Sequence, residues 1–193
     1  MSDLRIGYLV GSISTDSINR RLAAALQQLA PAGVRLVEIG IKDLPFYSLD
    51  AEQDFPAAAR QFKQAITDAD GILIVTPEYS RSIPGVLKNA LDWAARPYGE
   101  NAFAGQPVAL AGTSPSPIGT ATAQQHLRAI LVHFDALVLG QPELFLQDTG
   151  AIANDGSVTD EQTRGLLEDF LETFAAFVRT QRAAADAPQA LAS

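Results

Sequence analysis

Cysteine is absent from this chain of 193 residues. Disulfides, thiolate metal sites and cysteine nucleophiles are therefore excluded, structural zinc is disfavoured, and a reducing compartment is compatible with the composition. Positive charge is also scarce: Lys and Arg number 14 against 22 Asp and Glu, a formal net charge of −8. No basic run offsets that balance, so neither nucleic acid nor an anionic membrane surface is an expected partner. No apolar stretch reaches the roughly 18 residues of a membrane span, and Met1 to Val10 lacks the basic start and small-residue cleavage site of a secretory leader. A cytoplasmic protein is the expectation. Internal repeats and interdomain linkers are missing as well. The expected organisation is one domain over residues 1–181, followed by a flexible, alanine-rich tail over 182–193.

What the chain does contain is apolar material, 47% of residues, with 19% charged. That is enough for one domain to bury about 70% of its unfolded surface. Apolar runs ending in Gly, Ser or Pro alternate with segments of helical period. Leu4 to Val10 is interrupted only by Arg5 and leads to Gly11-Ser12, the pattern of a buried parallel strand. Ile18, Leu22, Ala25, Leu26 and Leu29 then repeat at helical spacing until Pro31 and Gly33. Further strands are expected over Arg35–Ile39, Gly71–Thr76, Pro107–Ala111 and Ala136–Leu139. Further helices are expected over Pro56–Asp68, from about Pro84, through Leu127 to Phe134, and over Thr159–Thr180 with Leu166, Phe170, Phe174 and Phe177 inward. Five strands alternating with five helices predict an α/β fold, a doubly wound parallel sheet with helices on both faces, because each parallel pair needs a right-handed helical crossover. Ligands of such sheets bind beyond the carboxyl ends of the strands, where the strand order reverses.

Three loops fall at that edge: Gly11–Asn19, Pro77–Pro84 and Gly112–Thr120. In the first, Ser12, Ser14, Thr15 and Ser17 place hydroxyls, with the amide of Asn19, immediately before a helix start. Free helical N–H groups, the helix dipole and hydroxyl donors together outline a phosphate cradle, although a single serine at such a place more often only caps its helix. Neither Gly-x-x-x-x-Gly-Lys-Ser/Thr nor Gly-x-Gly-x-x-Gly is present, which favours a single phosphate over a triphosphate or a conventionally held dinucleotide.

The second loop and the helix after it read Thr76-Pro77-Glu78-Tyr79-Ser80-Arg81-Ser82-Ile83-Pro84-Gly85-Val86-Leu87-Lys88-Asn89-Ala90-Leu91-Asp92-Trp93. This segment resembles the signature of the NADPH-dependent FMN reductase family, which includes quinone and chromate reductases and some azoreductases: Thr-Pro-Glu-Tyr-Asn, then Ser-Ile-Pro-Gly-x-Leu-Lys-Asn-Ala-x-Asp-Trp. The first loop is similar to that family's Gly-Ser-x-Arg-x-x-Ser-x-Asn, and the third to its flavin-edge turn. The likeness runs through nearly the whole chain in order.

The resemblance implies a flavodoxin-like sheet of order 2-1-3-4-5, with FMN and either NADPH or NADH as cofactors. It gives the FMN phosphate to Ser12, Ser17 and Asn19, beside Ile18, with Ser14 standing where arginine is usual. It lays Pro77, Glu78 and Tyr79 against the isoalloxazine; Ser80 replaces the usual asparagine and Arg81 a position that is often aromatic or glycine. Thr113, Ser114, Gly119 and Thr120 would border the pyrimidine edge. The flavin carries the chemistry, so no catalytic side chain and no metal are expected. NAD(P)H would reduce the flavin and leave before a small-molecule acceptor, whether a quinone, azo compound, free flavin or metal ion, takes the electrons. The family likeness also suggests a homodimer or homotetramer, with Phe46, Tyr47 and Tyr98 as contacts near the flavin. Two alternatives stay open: a flavodoxin-like electron carrier, whose Thr-Gly-x-Thr loop is missing here, and a flavin-binding module without turnover.

Other residues receive structural readings. Lys88 and Asp92, one helical turn apart, should form an exposed pair. Asn89 and Trp93 suit packing or a subunit contact, and His126 and His133 share a helix face without ligand-type neighbours. Glu143, Asp148 and Asp155 read as turn residues rather than a metal site.

Overall fold

The central strands are apolar on both faces, and each face feeds its own core. A computed structural model describes residues 3–186. In chain order the elements are β1 (Leu4–Val10), α1 (Ile18–Gln28), β2 (Val34–Glu38), a 3-10 turn (Leu49–Glu52), α2 (Ala57–Thr67), β3 (Gly71–Val75), α3 (Gly85–Ala94), β4 (Pro107–Ser114), α4 (Ala121–His133), β5 (Leu137–Val138), β6 (Leu144–Gln147) and α5 (Glu161–Asp186). The sheet runs β2-β1-β3-β4-β5, every pair parallel, with β6 also paired to β4. This is the order that the sequence resemblance implies.

Alternate residues of one strand enter opposite layers. Leu73, Val75, Ala109 and Ala111 pack with Leu22 and Leu26 of α1 and Phe170 and Phe174 of α5. Ile72, Ile74, Val108 and Leu110 pack with Phe62 of α2, Leu91 of α3 and Leu127 and Leu131 of α4. Each large side chain buried in this way contributes about 1.5–3 kcal/mol, which is why β3 and β4 read as unbroken apolar runs.

The expected fifth strand, Ala136–Leu139, is shortened, and a sixth strand not expected from the sequence follows it. β5 keeps only Leu137–Val138, opposite Pro107 and Val108, and the chain then leaves the sheet through Gly140-Gln141-Pro142. Proline has no N–H for a ladder. The chain re-enters as β6, which pairs Leu144–Gln147 with Ala111–Ser114. β4 consequently runs to Ser114 rather than ending at Ala111, carrying strand geometry into the third loop. α4 covers the break: Gln124 Nε2 donates to the Leu144 carbonyl at 3.0 Å and an Arg128 guanidinium N–H to the Leu139 carbonyl at 2.8 Å.

α5 differs from expectation in two respects. Leu166 is exposed, and Leu167, Leu171 and Val178 join Phe170 and Phe174 in the core, because the leucine pair at 166–167 fits two helical phases and only packing selects one. The helix also continues past Thr180 through Asp186, so the start of the expected flexible tail is helical. Arg182 there forms an ion pair with Asp70, and the remaining tail lies outside the described residues.

Candidate functional site

The three loops meet beyond the carboxyl ends of β1, β3 and β4 and are bonded to one another. Gly112 sits at their junction: a Cβ there would lie 2.1 Å from Thr120 Oγ1 and 2.3 Å from the Thr76 carbonyl oxygen. Only glycine permits that approach.

In the first loop, Ser17 occupies the cap position of α1 with extended backbone, yet its side chain makes no capping bond. The Arg20 and Arg21 amides return to the Ser17 carbonyl, which leaves those of Ile18 and Asn19 as first-turn donors without a helical acceptor. The buried Ser12 hydroxyl accepts from the Ser14 amide at 3.3 Å. Ser12, Ser14 and Thr15 line a pocket of about 300 Å³ together with Arg20, Glu38 and Lys42. Arg20 is paired with Glu38 at 2.9 Å. Two cationic side chains, Arg20 and Lys42, therefore line the same pocket as Ser14, the position where the family pattern has arginine, together with the Glu38 carboxylate that pairs with Arg20. Sequence reasoning missed both, since Lys42 reaches this loop only through the β1–β2 pairing. Asn19 is wholly buried; its side chain donates to the Thr113 carbonyl at 2.9 Å and accepts from the Thr113 amide at 3.0 Å. That side chain ties α1 to β4 and is committed within the chain.

The second loop is a two-residue hairpin. Tyr79 and Ser82 exchange backbone bonds of 2.9 and 3.0 Å around Ser80 and Arg81, whose φ values are +51° and +65°. Two successive positive φ angles mark a type I′ turn, which favours asparagine and glycine. The asparagine expected by resemblance at position 80 thus answers a backbone demand. Glu78 turns away from the loop surface, and its Oε2 accepts the Thr122 and Ala123 amides of α4, both at 3.0 Å. Arg81 lies 3.8 Å from the other carboxylate oxygen. His126, read from sequence as structural or solvent-facing, is exposed and sets Nδ1 3.0 Å from Ser82 Oγ. Thr76 Oγ1 donates to the Pro77 carbonyl at 2.9 Å, fixing the entry to the hairpin.

In the third loop Ser114 Oγ donates to the Gly119 carbonyl at 2.7 Å, and the buried Thr120 hydroxyl accepts from Gln124 Nε2 at 3.0 Å. Gly119 has φ +63°, and a Cβ there would fall 2.8 Å from the Phe145 carbonyl carbon of β6. The sixth strand therefore shapes this loop.

Ile13, Tyr79 and Ile118, one from each loop, are exposed large apolar side chains. Exposed apolar side chains on all three loops suit a flat apolar ring, and the hydroxyls and acceptor-free helix-start amides of the first loop suit a phosphate. These residues fit FMN.

Several flanking residues are used within the chain. Tyr47, expected at a subunit contact, donates from its hydroxyl to Glu52 at 2.6 Å and packs edge-on against Trp93 at 5.2 Å. The Arg96 guanidinium, and after it the Tyr47 hydroxyl, hold the Glu52 carboxyl below its ordinary range. Asn89 and the buried Trp93 both donate to the Pro45 carbonyl, at 2.9 and 2.7 Å, which is the packing role expected of them. Lys88 and Asp92 pair at 2.7 Å on the surface of α3. Asp155 accepts from the amide and hydroxyl of Ser157, and Asp148 and Glu143 pair with Arg21 and Arg128.

A parallel sheet of this order, with a hydroxyl-rich loop and an uncapped helix start after its first strand and two further loops at the same edge, defines a flavodoxin-like mononucleotide-binding protein. The sequence matches the family described as NADPH-dependent FMN reductase over residues 4–151. It is 49% identical over 180 residues to a 2-hydroxy-1,4-benzoquinone reductase of a Burkholderia species, covering 93% of this chain and 98% of that one. It is 38% identical over 185 residues to an NAD(P)H-dependent FMN reductase of Pseudomonas aeruginosa, with 93% and 98% covered. The solved structure of FerB, a flavoenzyme NAD(P)H:(acceptor) oxidoreductase from Paracoccus denitrificans, superposes with a TM-score of 0.88 at 41% identity over 92% of this chain and 98% of that one.

The chain belongs to the NADPH-dependent FMN reductase family. It is an FMN-dependent, NAD(P)H-linked oxidoreductase, and the electron-carrier and turnover-free alternatives are not favoured.

Proposed function

We propose that this enzyme reduces quinones with NADPH or NADH in a two-step exchange, holding the FMN phosphate on the first loop and the ring between the second and third. The observation that carries this reading is the pairing of an uncapped α1 start, where the Ile18 and Asn19 amides lack helical acceptors, with an exposed apolar side chain on each loop, Ile13, Tyr79 and Ile118. Bound there, FMN would supply the chemistry of hydride acceptance from a nicotinamide and two-electron delivery to an acceptor. The chain itself binds and orients. Ser12, Ser14 and Ser17 offer hydroxyls, and Ile18 and Asn19 backbone N–H groups, to the phosphate, with Lys42 in the same pocket lining supplying positive charge beside the Arg20–Glu38 pair. The backbone of Pro77, Glu78, Tyr79, Ser80 and Arg81 supports the ring, and Thr113, Ser114, Gly119 and Thr120 set its pyrimidine edge. Nicotinamide and acceptor use the same open face in turn.

The acceptor class follows the relatives: quinones first, hydroxybenzoquinones among them, with azo compounds, free flavin and metal ions as further candidates. Phe46 and Tyr98, 87% and 91% exposed, supply apolar contacts for a homodimer or homotetramer. No helix among the described residues is long and apolar enough to cross a membrane, and we assign the enzyme to the cytoplasm. The test is a visible-spectrum titration with FMN, followed by anaerobic NADPH and then benzoquinone. Bleaching by NADPH, recovery on quinone and parallel initial-rate lines at varied acceptor are expected. Failure to bind FMN at near-millimolar concentration overturns the site; converging lines overturn the two-step order.

A further inference from the structure

We infer that Glu78 is a positioning residue that keeps the bound flavin a strong reductant, by occupying the amides at the start of α4 and setting a negative charge in their place. α4 has no cap of its own. Thr120, at its cap position, makes no capping bond, because its hydroxyl is drawn inward to accept from Gln124. The first-turn amides of such a helix are donors at the positive end of the helix dipole. Left free beside the third loop, they would favour the negative charge that reaches a flavin on two-electron reduction. Glu78 removes that assistance. Its side chain is only 9% exposed, and Oε2 takes the Thr122 and Ala123 amides from 44 and 45 residues away in sequence. Arg81, 3.8 Å from the other oxygen, is largely exposed, so solvent screens its compensation.

The consequence is a difference in binding between the two oxidation states. A buried carboxylate in place of two free donors disfavours the state with more negative charge, so reduced FMN is held less tightly relative to oxidised FMN and gives up its electron pair more readily. A carboxylate that merely ties the second loop to the third would weaken both states alike if removed.

This inference rests on FMN occupying the three loops, and the experiment separates the two ideas. Oxidised-FMN affinity and the two-electron midpoint potential are measured for wild type, Glu78→Gln and Glu78→Asp, with melting of the FMN-free proteins as the control for folding. For Glu78→Gln the ratio of reduced to oxidised affinity should rise about tenfold, a potential about 30 mV higher for a two-electron couple. Glu78→Asp, which keeps the charge, should stay within about twofold of the wild-type ratio. An unchanged ratio in Glu78→Gln, or an equal rise in both variants, overturns the inference, as does loss of folding or of FMN binding by both, which would make the contact purely structural. A wild-type protein that takes up no FMN refutes the site assignment itself.

Discussion

α1 and α4 begin at the same edge of the sheet, each without a side-chain cap at Ser17 or Thr120, and yet they end in opposite electrostatic states. The α1 start is uncapped: the Ile18 and Asn19 amides lack a helical acceptor, and the loop before them lines a pocket with its hydroxyls, Arg20, Lys42 and the Glu38 carboxylate that pairs with Arg20. The α4 start is closed by the Glu78 carboxylate. Helix N-termini are generic anion sites, so what distinguishes the two is the residue sent to them from elsewhere in the chain. In the site we propose, an edge sorted in this way offers a phosphate one helix start and withholds the other.

The largest effect is expected where the two helix starts are brought together. Gly112→Val would drive side-chain atoms into Thr120 and the Thr76 carbonyl, which lie 2.1 and 2.3 Å from the position of a Cβ. A loss of about 3 kcal/mol or more is expected, with FMN binding abolished, read as a fall in melting temperature and a colourless protein. A variant of wild-type stability that still bound FMN would show that the loops need not converge.

The comparison can be broken directly by closing α1 as α4 is closed. Ser17→Asp places a carboxylate at the cap, which should stabilise the FMN-free protein by about 0.5–1 kcal/mol. It should also repel the phosphate and take its donors, weakening FMN by about 100-fold, equivalent to one or two charge-assisted hydrogen bonds of about 1.5–3 kcal/mol. Riboflavin, which has no phosphate, should bind both proteins alike. Calorimetric titration with the two ligands checks this, and equal weakening of both would move the phosphate away from α1. A smaller change is expected from Asn19→Ala, which cuts the tie between α1 and β4. It leaves the buried Thr113 N–H and carbonyl without their partner, at about 1–3 kcal/mol, measurable by urea unfolding.

The fold was legible because its strongest sequence signals are local. β3 and β4 are buried on both faces and show as apolar runs, and α1 to α4 carry a helical period set by one buried side. β6 was not legible: four residues just after Pro142 gain their identity only by pairing with β4, whose extension to Ser114 depends on them in turn. The site divides along the same line. The hydroxyl-rich loop and the proline-bearing loop stand out in sequence, but the destinations of Asn19 and Glu78 lie 94 and 44 residues away and have no local signature. His126 beside Ser82, and Lys42 in one pocket lining with Ser14, likewise follow from the folding of the sheet.

Ser80 illustrates how a departure can be visible in sequence while its cause is not. Absence of the usual asparagine suggests a weakened contact with the flavin, whereas the backbone supplies another reason, a φ of +51° in the first central position of the hairpin. The left-handed region costs an ordinary L-residue about 1–2 kcal/mol, and asparagine tolerates it through local hydrogen bonding. Ser80→Asn should therefore stabilise the FMN-free protein by up to about 1 kcal/mol, about 2–4 °C in Tm for a chain of this size, with FMN affinity unchanged within about threefold. If asparagine instead tightened FMN about tenfold and left Tm where it was, its amide would be acting on the ligand, and the hairpin would belong with the open start of α1 as a binding element rather than with the closed start of α4 as a support.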